Sequence, residues 1–222
     1  MQRKIAESGP RNESGNPFLP PSPHLTITDI GATHILIFNK YCVVPNHLLL
    51  ITREFKPQVG LLAPEDFSAT ELTLAQLEGG WMVFYNSGKE SGASQPHRHL
   101  QLIPDDKPPI IGSFLDSTVG VFKGIIHKLV RLTSAGSLAE KWRAAYSKVC
   151  SILPTAETSY SLLFTREWML MVPRLAERYE HVSFNTLVFA GYLLACYQKD
   201  YELLLNTEIT QIYNTLGFPA LL

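Results

Sequence analysis

Cysteine is scarce in this 222-residue chain. Cys42, Cys150 and Cys196 are widely separated and show no C-x-x-C spacing. An odd count so spaced argues against a disulfide framework and against a thiolate zinc site, and leaves reduced, buried thiols as the expectation. An excess of either charge is lacking too: 19 Lys and Arg residues face 20 Asp and Glu, the formal net charge is −1 and the pI about 6.7. No basic field exists to hold a long nucleic acid, so any attraction for phosphate must be local. No apolar run reaches the length of a membrane span, and the opening residues MQRKIAESGPRNESGNP hold no apolar signal-peptide core. No membrane partner is therefore expected, and a cytoplasmic location follows by default. Internal repeats, low-complexity tracts and linkers that would force a domain boundary are also lacking. With 45% hydrophobic residues the chain can bury a sizeable core, so one domain spanning 1–222 is expected.

What is present is organised around residues 86–103, NSGKESGASQPHRHLQLI. A loop rich in glycine and serine runs into an alternating segment, and in a strand alternate side chains share a face. His97, His99 and Gln101 then fall on one face, with Arg98, Leu100 and Leu102 on the other. Gly88 and Gly92, among Ser87, Ser91, Ala93 and Ser94, form a composition whose backbone N–H groups and hydroxyls can close around an anion. A neutral imidazole beside a phosphate cradle suggests attack on phosphorus. Other readings stay open. Either histidine can be a satisfied core residue, the loop can be a plain surface turn, and two imidazoles on one strand face can hold a metal, although no third or fourth ligand is evident.

The remaining chain punctuates itself. Residues 1–22 are polar and rich in Gly, Pro, Ser and Asn, and predict either an extended arm docking through Pro17-Phe18-Leu19-Pro20 or a frayed end. Apolar runs at 33–38 and 48–52 predict two strands. Residues 61–78 predict a helix with acidic residues in its first turn, closed by Gly79-Gly80. Strands are predicted over 81–85 and 97–103, a break at Asp105-Asp106-Lys107-Pro108-Pro109, and an ambiguous element over 121–132. Ser137 is the candidate N-cap of a helix over 137–153. A hairpin over 160–172 turns at Arg166-Glu167, another strand is expected over 188–198, and one helix or two short ones over 201–215.

The motif NSG-x-x-SGASQPH-x-HLQ at 86–101 resembles the active-site motif of the diadenosine tetraphosphate phosphorylases (ATP adenylyltransferases). That family is a branch of the histidine-triad superfamily related to galactose-1-phosphate uridylyltransferase. The likeness continues more weakly from about Asn16 to the C-terminus, including TREWMLMVPR and FAGYLL. Leu175 and Val188 depart from the small residues expected there, which leaves the outer substrate pocket open. The resemblance implies an α+β, histidine-triad-like fold: a mostly antiparallel sheet, helices packed on one side, and the motif strand near the sheet centre. It tips the element at 121–132 toward strand.

The resemblance also implies roles. His99 becomes the nucleophile that attacks the α-phosphorus and carries the nucleotide as a phosphoramidate, for which a neutral imidazole is suited near pH 7. His97 binds phosphate or orients the site, with scaffold as the alternative. Gln101 stands where the superfamily's hydrolases carry a third histidine; an amide cannot titrate but can donate to a phosphate oxygen. Asn86, Gly92, Ser94 and Gln95 match positions that hold phosphate oxygens. Lys40 is favoured among the cations Lys40, Arg53, Lys56 and Lys89, although a solvated surface role is the commoner one for such residues. Residues 35–38 can wall a base or simply serve as core. The implied partners are a dinucleoside polyphosphate and inorganic phosphate, exchanged to ATP and ADP in either direction. A hydrolase and a non-catalytic dinucleotide-binding module are the alternatives. No tightly bound cofactor is expected; Mg²⁺, if used, arrives on the nucleotide's phosphates.

Overall fold

The computed structural model describes residues 15–42, 44–104, 124–132 and 135–220. The expected break at 105–109 and the first part of the element at 121–132 lie outside them, as do residues 1–14 of the arm. The strands are β1 (Thr26–Ile30), β2 (His34–Phe38), β3 (Leu48–Thr52), β4 (Met82–Ser87), β5 (His99–Ile103), β6 (Lys128–Arg131), β7 (Tyr160–Phe164), β8 (Trp168–Pro173) and the small pair β9 (Arg178–Tyr179) and β10 (Val182–Ser183). The helices are α1 (Pro64–Leu74), α2 (Leu138–Cys150), α3 (Gln198–Leu205) and α4 (Ile209–Leu216). Eight strands form one antiparallel sheet in the order β1-β2-β3-β5-β4-β7-β8-β6, which sets the motif strand β5 near the middle.

The central strands are apolar on both faces because both faces are covered. On one face Leu50, Leu100, Val83, Tyr85, Leu162 and Phe164 pack under α1 and α2. The other face is covered differently along its length. Toward β7 and β8, Met82, Phe84, Leu163, Leu170 and Val172 pack against Phe184, Phe189 and the α4 residues Ile212, Tyr213 and Leu216. Helices thus lie on both sides of the sheet, not on one as expected. The apolar face of α4 needs a buried partner, and the half of the sheet left bare by α1 and α2 supplies it.

Toward β2 and β3 the same face is closed by the arm. Phe18 is 5% exposed and packs with Ile35, Ile37, Leu49 and Ile51, a burial worth roughly 1.5–3 kcal/mol. The expected docking segment is therefore seated, and the strand at 35–37 is core.

The helix starts were legible as capping chemistry. In α2 Ser137 Oγ accepts from Glu140 N at 3.3 Å and Glu140 accepts from Ser137 N at 2.9 Å, a reciprocal capping box. Trp142, Ala145, Tyr146 and Val149 are its buried face. α1 starts with Pro64, and Asp66 accepts from Ala63 N at 2.7 Å. It is shorter than expected, ending at Leu74, where the backbone tightens into turns: Gln76 N bonds the Thr73 carbonyl at 3.1 Å and Leu77 N that of Leu74 at 3.4 Å.

Two other expectations are corrected and one alternative is decided. Residues 188–198 are not a strand: a short 3₁₀ helix (Thr186–Ala190) begins at Asn185, whose carboxamide accepts from Leu187 N, and Gly191 ends it at φ 94°. Of the two readings for the terminal stretch, one helix or two short ones, the structure has the second, α3 and α4. Cys42 and Cys196 are exposed and Cys150 is half-buried, so the thiols are free but not all buried.

Candidate active site

His99 lies on β5 opposite Ile51 of β3. Its Nδ1 is 2.8 Å from the carbonyl oxygen of His97, and a carbonyl only accepts, so Nδ1 carries the proton. Nε2 is left with its lone pair and no hydrogen-bond partner among the described residues. Burial, which outweighs the favourable His97 carbonyl, pulls the imidazole pKa down to about 4. At neutral pH the ring is therefore an uncharged base with one nitrogen held and the other presented.

Gln101, two residues on, shares that face. Its Oε1 accepts from His47 Nε2 at 3.0 Å. His47 is 4% exposed, lies 5.8 Å ring to ring from Phe84, and is held neutral by burial at a pKa of about 4. Because His47 fixes the carboxamide's oxygen, the NH₂ group of Gln101 is oriented away from it and makes no hydrogen bond among the described residues. An oriented amide donor beside a neutral imidazole is an arrangement that can receive an anion's oxygen.

His97 is spent inside the protein. Its Nε2 donates to the Thr52 carbonyl at 2.8 Å, and its Nδ1 accepts from Asn16 Nδ2 at 3.0 Å. Neither nitrogen is left for phosphate, and the residue holds its neighbours in place instead. It does so through its backbone carbonyl on His99 and by latching the arm: Asn16 also accepts from Phe18 N, and the Phe18 ring sits 5.6 Å from the His97 ring and 5.4 Å from the His99 ring. Regular strand structure begins only at His99, while His97 makes an isolated bridge to Pro57.

The glycine-serine loop is not an open nest. The N–H groups of Ser91 and Ala93 go to the Gly88 carbonyl, and that of Gly92 goes to the Lys89 carbonyl. Gly92 is needed for shape: it has φ 78°, and a Cβ there would come within 2.9 Å of the Phe184 carbonyl oxygen. Ser94 is exposed and Gln95 half-buried, and these retain unused donors among the described residues. Asn86 is 2% exposed; its Oδ1 accepts from Thr186 N at 3.0 Å, so its side-chain NH₂ is the end left to donate.

The cations separate. Lys40 is exposed on the β2–β3 connection, 5.6 Å from the Tyr41 ring centre. It follows Asn39, whose Nδ2 approaches His47 Nδ1 at 3.3 Å. Arg53 is paired at 2.6 Å with Asp29 at the sheet edge, Lys89 is exposed and Lys56 half-buried. No group of three or more His, Cys, Asp or Glu residues converges on a metal position among the described residues.

Residues 1–110 match the family model described as Ap4A phosphorylase N-terminal domain, and residues 121–219 match that of the ATP adenylyltransferase C-terminal domain. The chain belongs to the Ap4A phosphorylase (ATP adenylyltransferase) family. Diadenosine 5′,5′′′-P1,P4-tetraphosphate phosphorylase 2 of Saccharomyces cerevisiae is 27% identical over a 252-position alignment covering 94% of this chain and 78% of the relative. The crystal structure of yeast Ap4A phosphorylase Apa2 superposes with a TM-score of 0.77 at 25% identity, covering 93% of this chain and 82% of that one. Its complex with AMP gives 0.73 at 26% identity, covering 91% and 80%. The eight-stranded sheet of this Ap4A phosphorylase family member runs through both matched segments, β1–β5 in the first and β6–β8 in the second. No described helix is long and apolar enough to cross a membrane.

Sequence reasoning missed three site-forming residues. His47 could have been found, since it precedes the 48–52 run and alternates with Leu49 and Ile51, which neighbour Gln101 and His99. Arg174, in the motif VPR, is 2% exposed and donates to Ser161 Oγ and to the carbonyls of Ala176 and Phe184; burial lowers its pKa to about 9. Gln58, in the loop before α1, carries no local signal at all.

Proposed function

We propose that this chain cleaves diadenosine tetraphosphate with inorganic phosphate, giving ATP and ADP, by way of a nucleotidyl group held on His99. The observation that carries the proposal is the Nδ1–H to carbonyl bond of His99, because it leaves a neutral, unpaired Nε2. In the first step the Nε2 lone pair forms the N–P bond to the α-phosphorus and the bond to the bridging oxygen breaks, releasing ATP. No proton has to leave Nε2, since the ring's proton is already on Nδ1, and the His97 carbonyl stabilises the positive charge the ring acquires. In the second step an oxygen of phosphate attacks the same phosphorus, the N–P bond breaks, and ADP leaves with its electrons balanced by return of the lone pair to Nε2. The same steps run backwards from ATP and ADP.

Gln101 donates to a non-bridging oxygen through the NH₂ that His47 orients, and the side-chain NH₂ of Asn86 donates to a second. Ser94 and Gln95 take the outer phosphates. Lys40 lies beyond Asn39 and His47, where it can reach the distal part of the polyphosphate. Mg²⁺, where it takes part, comes with the nucleotide. A polyphosphate leaving group needs little protonation, which suits a site with no acid titrating near pH 7 at the third motif position.

Product analysis with diadenosine tetraphosphate tests the acceptor. ATP and ADP should appear with phosphate, and steady turnover should stop without it. Steady production of AMP and ATP in phosphate-free buffer would make water the acceptor and the chain a hydrolase.

A further inference from the structure

The ladder between β4 and β5 pairs Met82 with Ile103, Val83 with Leu102 and Phe84 with Gln101, and then stops. Carried two residues further, that register would set Asn86 directly across from His99. Adjacent strands sit about 4.8 Å apart when backbone bonds join them directly. At this level the direct bonds are replaced by one side chain. Gln58 Nε2 donates to the Asn86 carbonyl at 3.0 Å and to the His99 carbonyl at 3.1 Å, while its Oε1 accepts from His99 N at 2.7 Å.

We propose that Gln58 is a positioning residue: its carboxamide forms the missing rung between β4 and β5 and so sets the gap between His99, the nucleophile, and Asn86, the oxygen donor. The inference rests on the function proposed above. A phosphorus atom attacked by His99 while one of its oxygens is held by Asn86 must fit between the two, and a directly bonded ladder would pull them together.

Gln58 is itself held rigidly. It is 2% exposed, its N–H donates to the Pro96 carbonyl, and its own carbonyl accepts from Gly88 N, both at 2.8 Å. Arg98, between the two motif histidines but pointing to the opposite face, donates Nε to the Pro57 carbonyl at 3.3 Å and Nη2 to that of Val59 at 3.4 Å. Its Nη1 is 3.2 Å from Asp66 Oδ2, and Asp66 Oδ1 accepts from His34 Nε2 at 3.0 Å. The brace therefore runs from α1 through Asp66 and Arg98 to the backbone on either side of Gln58, and from its side chain to the nucleophile. Such a layered support is what holding reacting atoms to within a fraction of an ångström requires.

The test is single-turnover formation of the nucleotidyl-His99 adduct from diadenosine tetraphosphate, alongside AMP affinity and thermal melting. Gln58→Met keeps length and loses all three bonds; Gln58→Asn keeps the amide and is one methylene too short to reach both strands. For a displacement of about 1 Å, each folded variant should form the adduct about 100-fold more slowly with AMP affinity changed less than about threefold. Should Gln58→Met fail to fold, Gln58→Asn decides. A folded variant that labels at the wild-type rate, or that loses rate and AMP affinity together in proportion to lost stability, overturns the positioning role. A wild-type chain that forms no adduct overturns instead the histidine intermediate on which it rests.

Discussion

Replacing His99 with alanine should lower turnover of diadenosine tetraphosphate by on the order of 10⁴-fold or more, with AMP affinity nearly unchanged. The asymmetry follows from where the ring sits. Nε2 makes no hydrogen bond among the described residues and Nδ1 is tied to the adjacent backbone, so beyond the chemistry the ring contributes one contact with the Phe18 ring, 5.4 Å away. The donors assigned to phosphate oxygens sit on Gln101, Asn86, Ser94 and Gln95 and survive the change. Steady-state rates with and without the substitution, with AMP titrations by calorimetry, check both halves. Retention of more than about one hundredth of wild-type kcat would remove His99 from the nucleophile's place.

Acid should unfold this protein through its buried neutral histidines. His47 and His99 have pKa values of about 4 in the folded chain against an ordinary value of about 6.5 unfolded. Because the folded values are lowered, the unfolded chain binds more protons between pH 6.5 and 4. Stability is thus full above pH 6.5 and falls as pH drops toward 4. A separation of about 2.5 units costs roughly 3 kcal/mol per histidine by pH 4, or roughly 6 kcal/mol for the pair. That is comparable to the whole stability of many domains. His97, lowered by burial as well, adds in the same direction, and Asp66, whose pKa is lowered by His34, the Ala63 amide and Arg98 against its burial, adds at still lower pH. Urea unfolding at pH 7 and pH 4.5 measures the slope; midpoints that coincide would show that these imidazoles are not buried neutral.

Much of the scaffold was legible because its signals are local. The capping box at Ser137 and Glu140, the paired runs turning at Arg166-Glu167 and the alternation through His99 and Gln101 each depend on residues a few positions apart. Phe18 was legible as an anchor because an aromatic flanked by prolines in a polar arm has little other use. The failures are failures of tertiary information. An apolar run such as 188–198 has the composition of a strand or of a short buried helix, and only the Asn185 cap and the left-handed Gly191 decide between them. The loop at 88–93 has the composition of an anion nest, yet the amides of Ser91, Gly92 and Ala93 close on the carbonyls of Gly88 and Lys89. His97 looked like a second functional imidazole because face-sharing says nothing about whether a ring nitrogen is already bonded; Thr52 and Asn16, 45 and 81 residues away, occupy both. Gln58 forms its bonds 28 and 41 residues along the chain, and nothing around it in the sequence distinguishes it from any loop glutamine.

In the proposed reaction the nucleotide passes through His99. Intact-protein mass spectrometry after mixing with diadenosine tetraphosphate in phosphate-free buffer tests it directly. The predicted result is one adenylyl group per chain, mapped by peptide analysis to His99, lost in acid, and discharged as ADP when phosphate is added. Phosphate-dependent turnover to ATP and ADP with no adduct at any time, and with inverted configuration at the transferred phosphorus, would contradict it and put phosphate itself in direct displacement.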